Sequence, residues 1–126
     1  MVSILLVNRM DRSLAGIVSY LKEKGEYGWQ QATSGLDALK ILTEKEIDLV
    51  ISDETLEDMT GLELIHKMVK LRPMTQYALV SSLSSKAFHD ASEGLGILMQ
   101  LPVDPGKHHG EILMNTFENI FNLLSK

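Results

Sequence analysis

Two kinds of segment alternate strictly along this sequence, and that alternation limits the folds open to it more than any other feature. Short apolar runs with polar ends, suited to strands buried on both faces, take turns with stretches whose apolar residues recur at helical spacing. Ile4-Leu5-Leu6-Val7 is a run of the first kind and ends at Asn8-Arg9. Leu14, Ile17, Val18 and Leu21 then recur at helical spacing, and Gly25 predicts the stop. Residues 27–32, with Trp29 and two glutamines, predict a strand near an edge of the sheet. Ser34 predicts the cap of a helix carrying Leu36, Leu39 and Leu42. Asp48-Leu-Val-Ile-Ser-Asp53 is the second strong strand, and Gly61 precedes a helix with Leu62, Ile65, Met68 and Val69, stopped by Pro73. Residues 77–81 predict a strand, 84–93 a short helix, and 97–101 a strand closed by Pro102. The last helix carries Leu113, Phe117, Ile120, Phe121 and Leu124.

Five strands alternating with five helices predict an α/β fold, a parallel sheet with helices on both faces and right-handed crossovers. The 126 residues suit a single domain over 1–126 and are too few for a barrel. The flavodoxin-like doubly wound strand order 2-1-3-4-5 fits better than the six-strand dinucleotide-binding order, with two helices on one face and three on the other. Composition narrows the function classes. With 12 basic against 17 acidic residues the net charge is −5, so nucleic acid is not the expected partner. The absence of cysteine excludes thiolate zinc sites, thiol catalysis and disulfides. No apolar run, Ile4-Leu5-Leu6-Val7 included, approaches the length of a membrane span. Met1-Val2-Ser3 carries no positive n-region, so a cytoplasmic location is expected.

In an open sheet of this kind chemistry sits at the carboxyl ends of the strands, beside the point where strand order reverses. That rule selects Asn8-Arg9, Asp53, Ser81 and Leu101-Pro102. An aspartate ending a central strand reads as a nucleophile or a metal ligand, or else as a cap. Residues 48–64 resemble the phosphoacceptor segment of bacterial response-regulator receiver domains, in which an aspartate ends the third strand and a glycine follows eight residues on. Asp53 and Gly61 have that spacing. Ser81-Ser82 falls at the family's Thr/Ser-Ala position after the fourth strand, and Pro102 at the proline of its Lys-Pro pair, so the resemblance spans essentially the whole chain.

The resemblance implies phosphoryl transfer from a histidine kinase to Asp53, with the Ser81 hydroxyl donating to the phosphoryl group. It also implies a Mg²⁺ held by an acidic pair, the acceptor aspartate and a backbone carbonyl, here that of Thr55. The chain departs from that pattern where charge matters. Asn8 and Arg9 replace the acidic pair, Leu101 the lysine, Leu98 the switch aromatic, and Glu57 the proline after the acceptor. No bound cofactor is therefore expected, with Mg²⁺ implied only if phosphorylation persists. Asp11 reads either as a substitute ligand or as a cap of the first helix. Arg9 reads either as an ion-pair partner of Asp53 or as a solvated side chain.

Other residues have plainer readings. His108-His109, between Gly106 and Gly110, reads as a solvated loop more readily than as a metal site, and this segment predicts a late or irregular start to the fifth helix. His66 and His89 are isolated, the methionines read as filling, and the acids of residues 54–58 read as a solvated loop. No glycine-rich phosphate cradle follows the first strand, which weakens a nucleotide- or flavin-binding reading. The substitutions favour a degenerate receiver, not an enzyme, acting as an interaction module with weak or no Mg²⁺-dependent phosphorylation. The alternative is a working phosphoacceptor, and an enzyme on the same scaffold has only fold analogy behind it. Expected partners are a histidine kinase or an output protein. A homodimer is expected to use the fourth helix, fifth strand and fifth helix. The chain ends soon after that helix, which fits a stand-alone receiver or one cut from a longer protein.

Overall fold

The structure is a computed structural model that describes residues 2–9 and 13–124. Its first half runs β1 (Ser3–Val7), α1 (Ala15–Lys24), β2 (Gly28–Ala32), α2 (Gly35–Glu44) and β3 (Leu49–Ser52). The second half runs α3 (Gly61–Leu71), β4 (Gln76–Val80), α4 (Ser85–Ser92), β5 (Met99–Leu101) and α5 (Lys107–Leu124). All strand pairs are parallel and the order is β2-β1-β3-β4-β5, as the alternation predicts.

The uninterrupted apolar runs follow from the two covered faces. Successive strand residues point to opposite sides, so Ile4 and Leu6 pack under α1 and α5 with Leu14, Ile17, Leu113 and Phe117. Leu5 and Val7 pack on the other side with Ala38, Leu64 and Phe88 from α2, α3 and α4. The two-plus-three distribution of helices is thereby set.

Register brings the functional edge together. Val7 pairs with both Ala32 and Ser52, and Ser52 pairs with Leu79, so β1, β3 and β4 end side by side. Three helices are started by hydroxyl caps. The side chains of Ser34, Thr60 and Ser84 accept from the amides of Asp37, Glu63 and Ala87 at 3.1, 3.1 and 3.2 Å. α1 stops at Gly25, whose φ of 66° is the left-handed conformation of a helix C-cap.

The start of α5 corrects the expectation of a late or irregular helix. The helix runs from Lys107, and the Gly106 carbonyl accepts from the amides of His109 and Gly110 at 3.1 and 3.2 Å. The His109 Nδ1 in turn accepts from the Gly106 N–H at 3.0 Å. An imidazole thus does what a carboxylate does in a capping box, offsetting part of the roughly 1 kcal/mol that a helical glycine costs. Gly110 also has a packing reason, since a Cβ there would lie 3.0 Å from Tyr20 Cβ.

Candidate functional site

Asp53 is placed by the strand it leaves. β3 is buried throughout, and the Asp53 amide donates to the Val7 carbonyl at 2.8 Å, holding the residue beside the end of β1. Asn8 is held next to it in the same way, through its amide and the Ala32 carbonyl at 3.0 Å. Asp53 is 8% exposed and Asn8 6%, an unusual depth for polar side chains and one that requires partners. Gly61 permits the close approach of α3. A Cβ there would stand 2.1 Å from the Asp53 carbonyl oxygen and 2.6 Å from Leu79 Cδ1.

Both carboxylate oxygens of Asp53 are engaged by neutral donors. Oδ1 accepts from the Glu54 amide at 2.7 Å, and Oδ2 accepts from the Ser13 hydroxyl. Ser81 sits across the edge, its amide donating to the Leu101 carbonyl at 3.0 Å. Its hydroxyl oxygen accepts from the Leu83 amide at 3.2 Å, closing a serine turn. Beside it, Glu54 Oε2 accepts from both the amide and the hydroxyl of Ser82, at 2.8 and 3.0 Å. The acidic loop after β3 is therefore not simply solvated. Glu54 reaches the β4–α4 loop, and Asp58 accepts from the Gly35 and Leu36 amides at 2.8 and 3.0 Å, serving the N-terminus of α2. Those hydrogen bonds, that of Gly35 first, hold the Asp58 carboxyl below the usual aspartate range. Glu57, exposed like Asp58, is the one of the three acids with no such role among the described residues.

The structure decides between the two readings of Arg9. The residue is exposed, and among the described residues the ion pair formed is Lys107–Glu23, away from this edge. The Arg9–Asp53 pair is not formed. A hydroxyl and an amide satisfy the buried carboxylate without the desolvation that a guanidinium would require. Nothing in the sequence pattern had singled out Ser13, because one hydroxyl in a polar stretch carries no spacing signal.

Leu101, at the lysine position, is 0% exposed and belongs to the core under α1 and α5. Leu98 is half-buried against the same core. Thr55 lies exposed in the loop and bridges Thr60. Asp11, the alternative ligand, and Met10 lie outside the described residues. His66, His89 and His108 are exposed, and among the described residues no three His, Asp or Glu side chains gather as a metal site would require. Mg²⁺ favours several hard oxygen ligands, carboxylates above all. Among the described residues the edge offers Asp53, already bonded on both oxygens, beside the neutral Asn8 amide, while the Glu54 carboxylate is turned to Ser82, so they do not fit that ion.

A doubly wound sheet with a buried aspartate just past its third strand and a hydroxyl residue just past its fourth is the arrangement that the resemblance to receiver domains implies. The sequence bears this out, since residues 4–104 match the response regulator receiver domain family, to which the chain belongs. It is similar to the sensor kinase CckA of Brucella abortus, with 34% identity over 88 residues, 68% of this chain but 9% of that protein. It is also similar to the transcriptional regulatory protein GlrR of Escherichia coli, 29% identical over 80 residues, 62% of this chain and 18% of that protein. The chain thus spans a small part of the curated relatives it matches.

In fold it is similar to the signal receiver domain of an HD domain-containing protein from Pseudomonas fluorescens. The TM-score is 0.82 at 23% identity, covering 99% of this chain and 93% of that one. This is a receiver domain of two-component signalling. Among the described residues no helix is long and apolar enough to cross a membrane.

Proposed function

We propose that this receiver is a protein-interaction module of a cytoplasmic two-component pathway, not an enzyme, and that Mg²⁺-dependent phosphorylation of Asp53 is weak or absent. The observation that supports this reading most is the state of the Asp53 carboxylate. It is buried, bonded to Ser13 and to the Glu54 amide, and has no cation beside it among the described residues. Attack on a phosphoryl group brings two anions together, and the repulsion has to be neutralised. Asn8 stands where a carboxylate would help hold a neutralising Mg²⁺, and Leu101 where an ammonium would supply positive charge directly. The partner is a histidine kinase or an output protein, engaged through the face formed by α4, β5 and α5, which would also serve a homodimer.

The retention of Asp53 and Ser81 on one edge favours a second reading, a phosphoacceptor served by a histidine kinase. Amide NMR during a Mg²⁺ titration, with intact-mass measurement after incubation with acetyl phosphate and Mg²⁺, separates the two. The module reading expects no sub-millimolar Mg²⁺ response and no phosphoryl adduct. Saturable sub-millimolar binding with an adduct on Asp53 would overturn it.

A further inference from the structure

In the β4–α4 loop, residues 81–84, the Ser81 amide still pairs with the Leu101 carbonyl of β5 at 3.0 Å, and the residues after it lie past the end of the sheet. Side chains from two other segments nevertheless bond to this loop. The Ser82 amide and hydroxyl both donate to one oxygen of Glu54, 28 residues away in sequence. On the other side Gln100 Nε2 donates to the Leu83 carbonyl at 2.9 Å and the Ser81 carbonyl at 3.3 Å. The Leu83 amide is held by the Ser81 hydroxyl. A carboxylate from the residue after Asp53 and an amide from β5 therefore grip the loop from both flanks.

A side-chain carboxylate that accepts from both the amide and the hydroxyl of one loop residue does what a bound anion does at such donors. Here the anion is covalently part of the chain, so the loop needs no external ligand to be ordered.

We propose that Glu54 is a built-in anion that locks the β4–α4 loop in one conformation, with Gln100 as the opposing clamp. The lock has two consequences. The Ser82 amide and hydroxyl are taken and are not free for an external anion. The loop also presents Leu83, 45% exposed, and the start of α4 in a fixed arrangement whatever the state of Asp53. Glu54 is a positioning residue in this scheme. The inference goes beyond the interaction-module reading and stands apart from it, because the lock needs neither Mg²⁺ nor phosphorylation.

Amide hydrogen exchange followed residue by residue by NMR, without Mg²⁺ or phosphate, tests it. In Glu54→Ala the Ser82 amide should exchange about tenfold faster or more, as expected when a charge-assisted bond is lost. Glu54→Gln, which keeps the shape without the charge, should give a smaller rise at the same amide. Gln100→Leu should loosen Leu83 while leaving the Ser82–Glu54 bond protected. The Ile51 amide in β3 is the control. Unchanged Ser82 exchange in both Glu54 variants, or a rise shared equally by Ile51 in both, would overturn the lock. The interaction-module reading fails on a different result, a phosphoryl adduct on Asp53, so the two are judged separately.

Discussion

Truncating Ser13 to alanine removes the only side-chain donor described on the Asp53 carboxylate and leaves Oδ2 facing a methyl group. A hydrogen bond to a charged group contributes about 1.5–3 kcal/mol. Asp53 is only 8% exposed, so water does little to replace the lost donor. Ser13→Ala should therefore cost about 2 kcal/mol. With a urea m-value of about 2 kcal/mol/M, the unfolding midpoint should fall by about 1 M. The decisive measurement is a double-mutant cycle with Asp53→Ala, which cancels whatever else the serine contributes. Where the carboxylate is already gone the hydroxyl has no anion to serve, and the loss on Ser13→Ala should then be clearly smaller, whatever its other contacts contribute. The coupling between the two positions should exceed about 1 kcal/mol. Equal losses in both backgrounds would show that the hydroxyl does not hold the carboxylate, and the account of Asp53 as a residue satisfied by neutral donors would fail with it.

Two further outcomes test the surroundings of the site. Gly61→Ala places a methyl 2.1 Å from the Asp53 carbonyl oxygen and 2.6 Å from Leu79 Cδ1, and should destabilise by about 3 kcal/mol as an overpacked contact; an unchanged melting temperature would mean that α3 docks differently. Asp58→Ala should destabilise at neutral pH by freeing the Gly35 and Leu36 amides, and the deficit should vanish in acid. Because the folded-state pKa of Asp58 is lowered, its contribution is present above the usual aspartate range and is lost as pH falls through the folded value. A deficit that persists at about pH 2, where the carboxyl is protonated in both states, would assign the effect to packing.

The sheet was legible because its two-sided burial leaves a strong mark. Ile4 to Val7 and Leu49 to Ile51 can be apolar at every position only if both faces are covered, and a parallel order with helices on both sides follows from that. The start of α5 was misread because glycine propensity is a local quantity. The opposing terms, the His109 bond to Gly106 and the packing of Gly110 on Tyr20, come from side-chain geometry and from another helix. The N-terminus of α3 was more legible than the sequence reading made it. Thr60-Gly-Leu-Glu63 is a capping-box pattern, and Thr60 does accept from the Glu63 amide. Backbone register fixes where Asn8, Asp53, Ser81 and Leu101 lie, at the carboxyl ends of their strands, and that placement was legible in the alternation. The site was read poorly where a side chain crosses from another segment, as Ser13 does to Asp53, Glu54 to Ser82, and Asp58 to α2. Spacing along the chain cannot show such contacts, because their partners lie 23 to 40 residues away.

The charges at this edge support the proposal that retaining Asp53 does not by itself retain acceptor chemistry. An incoming phosphoryl donor is an anion, and near Asp53 it meets the Asp53 and Glu54 carboxylates, joined by consecutive residues of one loop. Two unit charges about 4 Å apart repel by about 4 kcal/mol at an effective dielectric constant near 20. A penalty of that size in the transition state slows a reaction about a thousandfold. Arg9 is exposed and, with solvent around it, screens this repulsion weakly. Moving the exposed guanidinium onto the edge would not restore the balance either, since Ser13 and the Glu54 amide already occupy the carboxylate. On the proposed reading, restoring acceptor chemistry takes changes at Asn8, Leu101 and Glu54 together. Leu101→Lys alone would put an ammonium into a core position that is 0% exposed, where an unpaired charge is disfavoured. The expectation is that single reversions leave Asp53 unphosphorylated by acetyl phosphate, as read by intact mass, and that any gain appears only in the combination. An adduct on the Leu101→Lys single variant, in a protein that still folds, would show that one cation suffices and that the occupied carboxylate is no obstacle.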